Sequence, residues 1–300
     1  MSKSVLHCEA LGNFHRGREG SKQIPRFDCP ILTKELKSLV MELLKVDEIV
    51  LLQQRLRRRW FHYGMEEKVL VDKVSFSVER HRSLAIVGEE NSGKLPLTLA
   101  MLRLHEISSG KIEFRDVDIH SVSERRFRAL RRGIQAVFPD SFGQLTRDLT
   151  VNQTFLEVLR LWYRRESKDD WFNRIESVMV ACGLPEALRH LYPLELDAVE
   201  RQQVALARAL LSGPDLLICH GLTQGLDAVE QAELLNRVMQ IREDLALTVL
   251  IVTDDLAVGH HLGDDIAVLH RGRILEFGDS ESVVNRPQHE YTQRLVSCSV

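Results

Sequence analysis

A short apolar strand that runs straight into a glycine-framed loop constrains this chain more than any other feature. Residues 83–88 read SLAIVG, and Gly88-x-x-x-x-Gly93-Lys94 follows without a break. An uninterrupted apolar run of this length suits a strand buried on both faces, in a parallel sheet covered by helices. The glycines let successive backbone N–H groups curl into an anion nest. A helix starting at the end of the loop offers its positive pole to phosphate. Lys94 would reach the β- and γ-phosphates. This is the frame of a P-loop. The candidate nucleotide-binding residues are therefore Gly88, Glu89, Glu90, Asn91, Ser92, Gly93, Lys94 and Leu95.

The position after the lysine normally carries Ser or Thr, whose hydroxyl binds Mg²⁺. Here it is Leu95, followed by Pro96. Proline is tolerated in a first helical turn. Leucine has no oxygen, and Mg²⁺ demands an octahedron of oxygens. Thr98 lies a full turn too late to substitute. The spacing of His220, His260, His261 and His270 does not suggest a metal site either. No metal ligand is assigned.

The surrounding pattern agrees with an α/β fold. VLVDKVSFSV, KIEFRDVDI (111–119), IQAVF (134–138), DLLIC (215–219) and LTVLIVT (247–253) read as strands. IAVLHRGRILEFG reads as a hairpin turning at Arg271-Gly272. Residues 150–213 read mostly as helix and form a block inserted between strands. Upstream, 4–11 reads as a strand and 12–30 as loop. Leu36, Leu39, Val40, Leu43 and Leu44 follow helical spacing, so 31–59 is expected to be a helical insertion closed by Arg55, Arg57, Arg58 and Arg59.

Composition narrows the function classes. Hydrophobic residues make up 44% and charged residues 28%, which is ordinary globular usage. A net charge of −3 gives no basic field for nucleic acid. The five cysteines form no C-x-x-C pair, which fits a reducing compartment. Cys219 falls in a strand and reads as a small hydrophobe. No apolar run approaches the ~18 residues of a membrane span, and the first residues lack the apolar core of a signal peptide.

Several longer stretches resemble the ATP-binding subunits of ABC transporters, in the oligopeptide/dipeptide/nickel (Sap-type) importer branch. They are KVLVDKVSFSVERHRSLAIVGEENSGK, GIQAVFPDSFGQL, YPLELDAVERQQVALARALLSGPDLLI, GLDAVEQAELL and LIVTDDLAVGHHLGDDIAVLHRGRILEFG. The ending RPQHEYTQRLVS is similar to the NPQHPYT terminus of that branch. The resemblance implies a P-loop NTPase fold, an ABC nucleotide-binding domain with an antiparallel β subdomain and an inserted helical subdomain near 140–213. It implies one such domain over 1–297 and a tail at 298–300.

The same alignment exposes departures. Where the family's Q-loop has V-F-Q-D, this chain has Val137-Phe138-Pro139-Asp140. The signature L-S-G-G-Q is Leu196-Asp197-Ala198-Val199-Glu200. His220 stands where the Mg²⁺-ordering Asp of the Walker B strand belongs, and Gly221 where the general-base Glu belongs. Asp254 replaces the switch His. Leu226-Asp227 keeps the D-loop. The adenine-stacking aromatic would be Phe14 or Tyr63.

The expectation is thus a degenerate ATP-binding subunit of a peptide-type importer with no catalytic residues assigned. Its ATP binding would be weak and Mg²⁺-independent. It would form a heterodimer with a second ABC ATP-binding subunit and dock on membrane permeases, peripherally at the cytoplasmic face of the membrane. One alternative is an active transport ATPase. Another is a non-transport adaptor that binds partners through the 31–59 helix.

Overall fold

The computed structural model describes residues 42–59, 62–139 and 141–299. The chain enters as β1 (Glu42–Arg59), which pairs antiparallel with β2 (His62–Glu79). β3 (Ser83–Val87) leads through the glycine-framed loop into α1 (Lys94–Met101). β4 (Ser109–Phe114), β5 (Val117–Asp118), α2 (Glu124–Arg131) and β6 (Ile134–Val137) follow. Then come α3 (Ser141–Gln144), α4 (Val151–Trp162), α5 (Lys168–Cys182) and α6 (Ala198–Leu211), the helical block expected near 140–213. β7 (Leu216–His220), α7 (Ala228–Leu245), β8 (Thr248–Thr253), α8 (Leu256–Leu262) and β9 (Asp265–His270) restore the alternation. β10 (Arg273–Asp279), α9 (Ser280–Asn285) and α10 (Glu290–Ser299) close it.

Two sheets result. The antiparallel one runs β2-β1-β4-β5, and the larger one runs β10-β9-β3-β8-β7-β6. In the larger sheet β9, β3, β8, β7 and β6 are parallel, and β10 is an antiparallel edge. Every residue of β3 and β8 is buried, as their unbroken apolar sequences require. Side chains alternate between the two faces. Ala85, Val87, Leu217, Cys219, Val249 and Ile251 pack into a core shared with α4 to α8. Leu84, Ile86, Leu216, Ile218, Leu250 and Val252 pack into a second core shared with the antiparallel sheet and α1. The larger sheet is therefore the middle layer of three. The turn expected at Arg271-Gly272 joins β9 to β10, with both residues at positive φ.

The expected 31–59 helix is corrected. Residues 42–59 are β1, a central strand of the antiparallel sheet. Leu43, Leu44, Val46, Ile49 and Leu51 are each 1% exposed or less, so this segment is core rather than an appended surface. The misleading signal has a physical cause. Val46 pairs with Phe76 and Ile49 with Val74, and the register shifts between them. That β-bulge carries Glu48 at φ 44 and breaks the two-residue alternation, so the apolar spacing imitates a helix. Gly110 accepts the bulge: a Cβ there would meet the Glu48 carbonyl at 2.4 Å. Arg55, Arg57, Arg58 and Arg59 end a strand rather than a helix, opposite Glu66, Gly64, Tyr63 and His62. Of the tail expected at 298–300, Cys298 and Ser299 lie in the last turn of α10. Residues 4–11, 12–30 and 31–41, with Phe14, lie outside the described residues.

Candidate phosphate site at the ends of the parallel strands

Parallel sheets place their chemistry at the carboxyl ends of the strands, where loops and helix N-termini converge. Here β3 ends at the loop 88–93, β6 at Phe138-Pro139, β7 at His220-Gly221 and β8 at Thr253-Asp254.

The loop is held by close backbone approach. A Cβ on Gly88 would lie 2.0 Å from the Leu269 carbonyl oxygen. Gly93 caps α1 at φ 109, and a Cβ there would lie 2.6 Å from the Leu70 carbonyl oxygen. Asn91 takes φ 61, a conformation that asparagine tolerates better than most residues. The Gly272 N–H donates to the Ser92 carbonyl (2.7 Å), which ties the loop to the β9–β10 turn. The Glu89 N–H donates to the Tyr291 hydroxyl of α10 (3.4 Å), and the Tyr291 ring stacks on His270 with centroids 4.0 Å apart.

Lys94 folds back over the loop. Its Nζ donates to the Gly88 carbonyl, to the Glu89 carbonyl (2.7 Å) and to Ser92 Oγ (3.5 Å). Burial pulls the ammonium below its usual pKa, against the opposing pull of Asp254, Glu90 and Glu89. Leu95 is 48% exposed beside it and contributes no oxygen.

His220 fills the space beneath. Its Nδ1 lies 3.1 Å from Thr98 Oγ1, and that hydroxyl donates to the Lys94 carbonyl at 2.9 Å. The Phe138 ring lies 5.7 Å from the imidazole. Burial first, then the Lys94 charge, push the His220 pKa down to about 4, with Asp254 opposing. The imidazole is neutral at physiological pH. Thr98, discounted in the sequence as a hydroxyl too far along the helix, is the partner of His220 instead. The i, i+4 spacing from Lys94 puts it on that face, but its mate was visible only once β7 was placed.

The donor set here does not fit Mg²⁺. Leu95 has no donor atom, and His220 offers nitrogen to an ion that takes oxygen. Among the described residues no three His, Cys, Asp or Glu side chains gather as a metal-binding group. His260 bonds Ser280 Oγ (2.9 Å) and His270 stacks on Tyr291, each away from His220.

Gly221 takes φ 56, and a Cβ there would meet Pro139 Cγ at 3.3 Å. A side chain at position 221 would therefore press on Pro139. The Phe138 main chain is held by Gln144, whose Oε1 accepts from its N–H (3.1 Å) and whose Nε2 donates to its carbonyl (2.7 Å). Gln202 Nε2 adds a second donor to that carbonyl (3.2 Å).

The segment 196–200 opens α6. Asp197 is the N-cap: its carboxylate accepts the Glu200 N–H (2.7 Å), and Glu200 Oε2 accepts the Asp197 N–H (2.9 Å). This capping box places two carboxylates on the helix's positive end. Asp255 likewise caps α8 through the Ala257 N–H (2.7 Å), leaving Asp254 to face Lys94 and His220. Cys219 is fully buried and its thiol is pushed up to about 12, so it is inert packing. Tyr63 lies in β2 opposite Arg58.

Comparison with known proteins agrees with this layout. Residues 71–223 match the ABC transporter family. The chain is 32% identical to the oligopeptide transport ATP-binding protein AppF of Bacillus subtilis, over 76% of this chain and 69% of that protein. It is 29% identical to the oligopeptide transport ATP-binding protein OppF of Salmonella typhimurium, over 80% of this chain and 72% of that protein. Among solved structures, cbiO1 of Clostridium perfringens, part of the cbiONQ transporter complex, superposes with a TM-score of 0.69 at 22% identity. That match covers 86% of this chain and 98% of cbiO1. A dimeric ATP-binding cassette bound to ADP and Pi also gives 0.69, at 20% identity, covering 79% of this chain and 98% of the cassette. With its P-loop frame, its three-layer α/β core and its relatives, the chain belongs to the ABC transporter family.

Proposed function

We propose that this chain is the non-hydrolysing ATP-binding subunit of a peptide importer. It forms one cassette that pairs with a competent ATP-binding subunit and docks on membrane permeases at the cytoplasmic face. The loop from Gly88 to Leu95 would hold the phosphates of ATP through its backbone N–H groups, with Lys94 turning from the loop carbonyls toward them. The metal contributes nothing to this binding, because neither Leu95 nor His220 offers it an oxygen.

The capping box on α6 carries the reading. In a composite ABC site the signature helix of one subunit caps the γ-phosphate bound by the other. A helix end already satisfied by Asp197 and Glu200 repels that phosphate. Gly221 supplies no base on this chain's own side. Both composite sites of a heterodimer would be weakened, one through each loss.

Peptide import is suggested by the named roles of the oligopeptide transport relatives. Docking is supported by apolar side chains left exposed on and beside the helical block, Leu161, Phe172, Val180 and Leu194, the kind of surface partners cover. No described helix is long and apolar enough to cross a membrane. The adaptor alternative is weakened, since residues 42–59 of the 31–59 segment form β1 in the core.

The test is a titration of the purified chain with ATP in EDTA and in excess Mg²⁺. The two curves are expected to superimpose, and Lys94→Ala to abolish both. A tenfold or greater tightening by Mg²⁺ would contradict the reading.

A further inference from the structure

The space where a metal-ordering carboxylate would stand is filled by an imidazole with one nitrogen committed and one unengaged. Thr98 Oγ1 spends its hydrogen on the Lys94 carbonyl (2.9 Å), so the 3.1 Å contact with His220 requires His220 Nδ1 to be the donor. The proton of the neutral ring therefore sits on Nδ1, and the lone pair sits on Nε2. No hydrogen-bond partner engages Nε2 among the described residues. The ring stands at the end of β7, near enough to Lys94 of the loop-to-helix junction to feel its charge.

We propose that His220 takes the place of the metal by a proton: phosphate entering the loop draws one proton from solvent onto His220 Nε2, and the imidazolium supplies the positive charge that Mg²⁺ supplies elsewhere. The inference rests on the reading of 88–94 as a nucleotide site.

The electrostatics give its direction. The groups facing the ring are Lys94 and Thr98 from α1, Phe138 from the end of β6 and Asp254 from beyond β8. Glu89 and Glu90 face Lys94 from the loop. In the empty site burial and the Lys94 ammonium keep the ring neutral, with a pKa of about 4. An incoming phosphate offsets the Lys94 charge and adds an anion, and both changes raise the His220 pKa. The complex then holds more protons than the free chain at every pH between the two pKa values. Affinity must rise as pH falls through the complex's pKa, by at most about tenfold per unit for one proton, and level off near pH 4. The single reaction is proton transfer from water or buffer to Nε2; no bond to the nucleotide forms or breaks.

The experiment is calorimetric titration of the full chain with ADP in EDTA from pH 8 to pH 5.5, for wild type, His220→Asn and Lys94→Ala. Asparagine retains an N–H toward Thr98 but cannot gain a proton. The ligand's own ionisation is common to wild type and His220→Asn and cancels between them. Expected is a wild-type affinity that gains at least fivefold more than His220→Asn between pH 7.5 and pH 5.5. Titrations in two buffers of different ionisation enthalpy should also show proton uptake by the wild type beyond that of the ligand. Superimposed pH profiles with no extra uptake would overturn the proton and leave the nucleotide site standing. Absence of binding by the wild type at every pH would overturn both.

Discussion

Gly221 cannot take a side chain without cost. Gly221 sits at φ 56, where any other residue is strained, and a new Cβ would press on the Pro139 ring at 3.3 Å. Gly221→Glu, the substitution that restores a base, is expected to destabilise the chain by about 1–2 kcal/mol through its left-handed backbone. Gly221→Ala should cost nearly as much, which separates backbone strain from charge. Thermal unfolding checks both, and a Gly221→Glu variant as stable as wild type would mean that the turn relaxes freely. The sequence showed which residue types stand at these positions, because a motif fixes register. It did not show that a side chain at 221 would meet Pro139 or that His220 leans on Thr98. Those neighbours are far apart in the chain, and the sheet order β3-β8-β7-β6, with α1 packed against β7, brings them together.

α6 shows how an element gains local stability at a functional helix end. Its first turn carries a reciprocal cap, Asp197 to the Glu200 N–H and Glu200 to the Asp197 N–H. The same device starts α4, α5 and α7. α6 is capped as they are. Asp197→Ala should therefore lower stability by about 1 kcal/mol, read as a fall in Tm of roughly 2 °C for a chain of this size. An unchanged Tm would mean the cap does not hold the helix. Element by element, the parallel strands were legible because burial on both faces leaves unbroken apolar runs such as SLAIV and TVLIVT. The helical block was legible through its length and its caps. β1 was not, since the bulge at Glu48 shifts the alternation and the preceding leucines extend a helical spacing into it. Glycine at 110, which only the bulge explains, lies more than sixty residues downstream and gave no local warning.

At the scale of the whole molecule, a continuous scaffold carries the loop and the strand ends on which the proposed function rests. Both cores are continuous, the loop is braced by the β9–β10 turn and by Tyr291, and Lys94 is in place. Leu95, Pro139, Asp197, His220, Gly221 and Asp254, the positions at which the sequence departs from the motifs it resembles, lie on the loop, the strand ends and the α6 N-terminus. General-base help is worth about 10²- to 10⁴-fold, and a metal several kcal/mol more in phosphoryl transfer. Such parts act as a unit, so on the proposed reading no single substitution would restore hydrolysis. The most direct test of the central claim is steady-state ATP hydrolysis by the purified chain in Mg²⁺, measured beside Lys94→Ala. The account predicts that the two are indistinguishable, with no turnover above background. Sustained Mg²⁺-dependent turnover by the wild type that Lys94→Ala abolishes would contradict it.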